Sequence, residues 1–231
     1  MYSIETAMSF NKCCNIENRG VEYDERFDRW TGNTPFKTSI VKIEDEITML
    51  GPTEENPKPD YINACFIASP IDGIPKELIG TQCPTKVTLS SFWRMIFAFN
   101  VIGIGMLCDP DHEKVCFDYF DHKHYIDRVG KNDNFKIDII GEPTFIDEPM
   151  NKVKKTVFEV THEFGEKPYK KHVVEHLRYI KWPDRSVPQT VEEQDSLAKM
   201  VWRLVELNAE KGIDGPITTH CYLGLGRSGT T

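Results

Sequence analysis

Nowhere in the 231 residues do 18 apolar residues follow one another, so no segment reads as a membrane-spanning helix. The opening Met1-Tyr-Ser-Ile-Glu-Thr-Ala-Met8 lacks the basic-then-apolar layout of a signal peptide. Basic charge is scarce: 28 Lys and Arg stand against 36 Asp and Glu, a formal net charge of −8. A broad nucleic-acid or anionic-membrane surface is therefore not expected, because little would neutralise the phosphates. A small basic pocket remains compatible. Cys13, Cys14, Cys65, Cys83, Cys108, Cys116 and Cys221 contain no C-x-x-C pair, which argues against a disulfide scaffold or structural zinc. Most are expected to be small buried hydrophobes. There are no repeats or low-complexity tracts. These absences predict a cytoplasmic protein without nucleic-acid or membrane partners or structural zinc, a monomer by default.

What is present is ordinary for one domain: 39% of residues are hydrophobic and 28% charged, enough for a sizeable core. Residues 51–59 carry three prolines and read as a loop. Tyr61 to Ile67 is rich in strand formers. Phe92, Ile96 and Phe99 recur at helical spacing, which places Trp93 and Arg94 on a structural helix docked on the core. The apolar run Val101 to Cys108 reads as a buried strand. Residues 114–120, 134–146 and 152–164 hold further strand-like stretches, and Glu44-Asp45-Glu46 reads as a solvated turn. His122 and His124 read as solvated. The clearest element is a helix over Val191 to Lys211. Thr190 caps it, Glu193 completes a capping box, and Gly212 offers the left-handed stop. Leu197, Val201, Leu204 and Val205 share one face. Pro216 to Thr219 then makes a short strand into His220-Cys221. Strands, then helix, strand and loop predict a mixed α/β (α+β) domain.

The segment His220-Cys221-Tyr222-Leu223-Gly224-Leu225-Gly226-Arg227-Ser228-Gly229 sets a cysteine five residues before an arginine. A loop closing on a phosphate dianion turns successive backbone N–H groups inward. Gly224, Gly226 and Gly229 permit a tight turn and close approach. Arg227 offers a planar fork to two phosphate oxygens. The same groups favour an anion at Cys221, the candidate nucleophile, and Ser228 can donate to its sulfur. His220 is expected to orient the loop rather than act as a base. Gly224-x-Gly226-x-x-Gly229 also matches a dinucleotide fingerprint, but that requires a helix, a second strand and an acid about twenty positions on. Taken alone, the loop could be a glycine-rich turn around a buried cysteine. Upstream, Trp182-Pro183-Asp184-Arg185-Ser186-Val187-Pro188 puts one acid in a stiff loop. Breaking a phosphomonoester needs a proton for the leaving oxygen, and Asp184 could deliver it.

His-Cys, five residues, Arg-Ser-Gly and an upstream Trp-Pro-Asp together resemble the protein tyrosine phosphatase family. Asp60-Tyr-Ile-Asn-Ala-Cys-Phe-Ile67 is similar to its Asp-Tyr-Ile-Asn-Ala-Ser-Tyr-Ile strand. Thr81-Gln-Cys-Pro84 resembles Thr-Gln-Gly-Pro, and Phe92-Trp-Arg-Met95 matches Phe-Trp-Arg-Met. The resemblance covers roughly residues 17–231, leaving 1–16 as an extension. It implies a central, highly twisted mixed β-sheet flanked by helices. It implies attack of Cys221 on phosphotyrosine, proton donation by Asp184, a phosphocysteine intermediate and no cofactor. The backbone of Tyr222, Leu223, Gly224, Leu225, Gly226 and Arg227 would hold the phosphate, with Trp182 at the acid loop. Phosphotyrosine proteins would be the partners. Tyr222 and Leu223 replace the family's small Ser-Ala pair, where Leu223 is expected to crowd the loop. Where the family carries Asn-Arg-Tyr, the stretch Gly32 to Lys37 is matched, with Phe36 supplying a ring and no arginine. The chain ends just after the loop, before the family's next helix and glutamine motif. A catalytically impaired pseudophosphatase that binds phosphotyrosine partners is the alternative expectation.

Overall fold

The computed structural model describes residues 22–29, 34–35, 38–49, 51–52, 57–68, 77–85, 87–108, 119–120, 133–164, 170–183, 186–224 and 226–230. Eight strands share one sheet: β1 (Ile40–Lys42), β2 (Tyr61–Ala68), β3 (Glu77–Gln82), β4 (Gly103–Met106), β5 (Asp133–Phe145), β6 (Val153–Phe164), β7 (Lys170–Tyr179) and β8 (Ile217–Cys221). Their spatial order is β1-β2-β3-β8-β4-β7-β6-β5. β8 runs parallel to both β3 and β4, and β4 runs parallel to β7. The remaining pairs are antiparallel. This is the mixed sheet expected from the sequence.

The centre of the sheet is apolar because it is covered on both faces. Gly103, Ile104, Gly105 and Met106 of β4 are all buried, as is every residue of β8. One face meets α2 (Leu89–Ala98; α1, Glu46–Met49, precedes it), which contributes Phe92, Trp93, Met95 and Ile96 to a core with Ile79, Ile104 and Phe158. The other meets α3 (Val191–Lys211), whose Leu197, Met200, Leu204 and Val205 pack with Leu177, Ile217 and Cys221. Val201 is half-buried and Met200 takes the central place instead. Helix and sheet approach closely because β4 is thinned: a Cβ on Gly105 would lie 2.8 Å from Met200 Cε.

The ends of α3 follow the sequence with one change. Thr190 Oγ1 accepts the Glu193 N–H at 3.2 Å, and Gly212 ends the helix at φ 63°. The Glu193 carboxylate, however, reaches past Thr190 to the Gln189 N–H at 2.8 Å. Two other readings are corrected. Glu44-Asp45-Glu46 is not merely a solvated turn: Asp45 forms an ion pair with Arg94, whose Nε donates to Asp45 Oδ2 at 2.6 Å. Arg94 is fully buried and also donates to the Pro59 carbonyl and Thr48 Oγ1. Burial pushes the Asp45 carboxyl up, but the Arg94 hydrogen bonds and charge outweigh it and hold it below the usual range. Tyr119 and Phe120, read as the end of a strand, form a turn.

Arg94→Ala is expected to destabilise the fold by about 3 kcal/mol, because it strands the Asp45 charge and empties a packed site. Urea denaturation against wild type measures this.

Candidate active site

Cys221 ends β8, and its placement is a matter of backbone pairing. Leu107 N–H donates to the His220 carbonyl at 2.8 Å, and Cys83 N–H to the Cys221 carbonyl at 2.9 Å. The thiol is free and 3% exposed. The chain then turns at Gly224, with φ 74°. A Cβ there would stand 2.4 Å from the Thr81 carbonyl oxygen, so only glycine fits against β3. Gly226 and Gly229 meet no such neighbour, and neither has a left-handed φ. Leu223, which replaces the family's small residue, is half-buried. Ser228 is buried at the start of a one-turn 3-10 helix over Ser228–Thr230.

Arg227 is 4% exposed, and its Nη1 donates to the Trp182 carbonyl at 3.0 Å. That bond joins the loop after Cys221 to the loop expected to carry the acid. Trp182 is buried, packs edge-on against Tyr179 at 5.4 Å and donates from Nε1 to the Ser186 carbonyl at 3.1 Å. Asp184, Leu225 and Phe36 lie outside the described residues, as do His122 and His124.

The family model for protein-tyrosine phosphatase matches residues 28–231. The chain belongs to that family. Receptor-type tyrosine-protein phosphatase V of Rattus norvegicus is 31% identical over 176 residues, 75% of this chain and 9% of its own length. Tyrosine-protein phosphatase non-receptor type 18 of Mus musculus is 30% identical over 193 residues, 82% of this chain and 38% of its own length. The chain thus spans well under half of either curated relative. Among solved structures, the catalytic domain of human protein tyrosine phosphatase non-receptor type 18 has a TM-score of 0.71 at 26% identity, covering 98% of this chain and 74% of that one. PTPN18 in complex with a HER2 phosphopeptide gives a TM-score of 0.68 at 26% identity, with 97% and 75% covered.

Within this phosphatase fold, several side chains around the loop escaped the sequence reading. Arg29 donates from Nε and Nη2 to the Cys83 and Pro84 carbonyls, each at 2.9 Å. Its guanidinium carbon lies 4.6 Å from the Tyr222 ring centroid. Gln82 fixes that segment: its Nε2 donates to the Phe27 carbonyl at 2.6 Å, and its Oε1 accepts the Arg29 N–H at 3.2 Å. The signal available was Asp28-Arg29-Trp30, an arginine flanked by an aromatic. Behind the loop, the Tyr119 hydroxyl lies 2.7 Å from His220 Nε2 and 2.8 Å from His176 Nε2. Phe92 packs tilted and Trp93 edge-on against Tyr119. His220 is thus held in place by hydrogen bonding. Burial drives its pKa down to about 3, and drives that of His176 well below its ordinary value. Both rings are neutral at neutral pH.

Cysteine usage departs from expectation at one position. Cys83 is disulfide-bonded, whereas Cys65, Cys108 and Cys221 are free; spacing alone does not reveal pairs that folding brings together. Cys83 Sγ, Cys108 Sγ and a His220 ring nitrogen lie within 4.8 Å of one another. With the Cys83 sulfur committed to a disulfide, Cys108 and His220 are left as two ligands, fewer than the three or four protein ligands of a zinc site.

Gly224→Ala is expected to cost about 1–3 kcal/mol of stability, through positive-φ strain and the clash with Thr81; denaturant midpoints test it. The histidines give a second expectation. An unfolded chain takes up protons at His below about pH 6.5, while the folded chain holds His220 neutral to about 3. Stability is therefore full above 6.5 and falls as the pH drops through that window. Thermal melts at about pH 7 and about pH 5 should show the loss, and His176→Gln should reduce it.

Proposed function

We propose that this protein hydrolyses phosphotyrosine on proteins through a phosphocysteine intermediate. The observation that carries the reading is the Arg227 to Trp182 carbonyl bond, which brings the phosphate loop and the acid loop together. In the first step the Cys221 sulfur attacks phosphorus, and an S–P bond forms as the bond to the tyrosine oxygen breaks. Asp184 gives its proton to that oxygen. In the second step a water attacks phosphorus, Asp184 takes a proton from it, and phosphate leaves the sulfur. The loop amides from Tyr222 to Arg227 and the Arg227 fork stabilise charge on the equatorial oxygens. Ser228 serves the leaving thiolate with its hydroxyl. No metal enters any step.

Phosphotyrosine specificity rests on the segment beside the loop. Arg29 is our choice for the arginine of Asn-Arg-Tyr, because it stacks on Tyr222 and grips the Cys83 and Pro84 carbonyls. On that choice Trp30, next in sequence, is the candidate aromatic in place of Phe36. The likeness to PTPN18, solved with a HER2 phosphopeptide, supports phosphotyrosine proteins as substrates. We read the protein as cytoplasmic, in keeping with its non-receptor relatives, and as a monomer by default. Receptor-type relatives match as well. Among the described residues, no helix is long and apolar enough to cross a membrane.

The test is phosphate release from a phosphotyrosine peptide. Cys221→Ser should abolish turnover, and Asp184→Ala should lower kcat by about 10²- to 10⁴-fold. Equal activity of wild type and Cys221→Ser would refute the mechanism. Peptide retained by wild type without turnover would instead mark a binding protein.

A further inference from the structure

Glu193 sits in the first turn of α3 and is used from several atoms at once. Its carboxylate Oε2 accepts the Gln189 N–H at 2.8 Å, and its Oε1 accepts Lys152 Nζ at 2.9 Å. Its backbone carbonyl accepts the Tyr179 hydroxyl at 3.1 Å. Tyr179 closes β7 just before the Trp182-Pro183-Asp184 segment, and Gln189 follows Pro188 at that segment's far end. Lys152 is itself held, because its own N–H donates to Asp147 Oδ2 at 2.9 Å in the turn between β5 and β6. The chain carrying Asp184 therefore leaves from and returns to one residue.

A helix cap does not require this arrangement. The bond from Glu193 N–H to Thr190 Oγ1 already satisfies the helix start. In the reciprocal capping box the carboxylate would fold back on Thr190 N–H, yet here it spans to Gln189 and Lys152. Both carboxylate bonds involve an ionised group and are stronger than neutral ones. Tyr179, fixed through its hydroxyl, also presents its ring to Trp182 at 5.4 Å. From these contacts we propose that Glu193 is a positioning residue that anchors both ends of the Asp184 segment. The proposal rests on the phosphatase reading for its catalytic consequence, though not for the anchoring itself. Anchored ends limit where the acid can stand, and an acid misplaced by about 1 Å loses rate rather than substrate affinity. Phosphate is gripped by a different loop, so KM should respond little.

The experiment compares wild type with Glu193→Ala, Tyr179→Phe and the cap control Thr190→Ala, using two readouts. Amide hydrogen exchange at Gln189, followed by NMR, reads the anchor directly. It should accelerate by about tenfold in Glu193→Ala and by less than about threefold in Thr190→Ala. On a phosphotyrosine peptide, Glu193→Ala and Tyr179→Phe should each lower kcat by about three- to tenfold with KM within about twofold. Thr190→Ala should lower the melting temperature and leave that kcat-to-KM pattern absent. If Glu193→Ala and Thr190→Ala match in Gln189 exchange and in kcat, Glu193 is only a cap and the proposal is overturned. If wild type turns over no substrate, the phosphatase reading fails, and Gln189 exchange still decides the anchor.

Discussion

Parallel pairing of β8 between β3 and β4 is the constraint from which the site follows. A parallel ladder fixes register along both edges of a strand, and here it fixes the end of β8 opposite Gln82 and Met106. Backbone bonds continue one step past the strand, from Leu107 and Cys83 to the carbonyls of His220 and Cys221. The cysteine is thus placed by main chain at the C-terminal edge of a parallel core, where open α/β sheets generally hold ligands. Gly224 must then pass within contact of Thr81, so the shape of the turn is set by β3 as much as by the loop's own sequence.

Two side-chain layers support that backbone frame. On one side Gln82 ties residues 27–29 to the strand that flanks the loop. On the other, α2 lays Phe92 and Trp93 around Tyr119, which holds His220. Arg94, on the same helix, points away and locks α1 through Asp45. Consecutive residues of one short helix therefore serve the core, the support of His220 and a remote turn.

What could be read in the sequence was what local rules encode. α3 was legible from Thr190 to Gly212 because caps and periodicity act within a few residues. β2 and β4 were legible from composition, and the turn after Cys221 from its glycines. β1, β3 and β7 were not singled out: β7 opens with Lys170, Lys171 and His172 and becomes apolar only from Val173. The ion pair of Asp45 with Arg94 was missed because it joins residues 49 positions apart. Arg29, Tyr119 and His176 were missed for the same reason; only the folded sheet brings them to Cys221's neighbourhood. Of the three loop glycines, read from the sequence as permitting a tight turn and close approach, Gly224 faces backbone that a Cβ would strike, and Gly226 and Gly229 face open space.

The Tyr119 hydroxyl has a consequence for proton bookkeeping. It carries one hydrogen but faces two ring nitrogens, His220 Nε2 and His176 Nε2. With both rings neutral, it donates to one and must accept from the other, so the histidines adopt opposite tautomers at those nitrogens. If His220 Nε2 accepts, its Nδ1 carries the hydrogen and faces the Cys221 carbonyl at 3.4 Å. Reversing the phenolic hydrogen therefore also requires a proton to move between the two nitrogens of each ring, so whether His220 offers that carbonyl a donor or a lone pair is tied to the tautomer of His176.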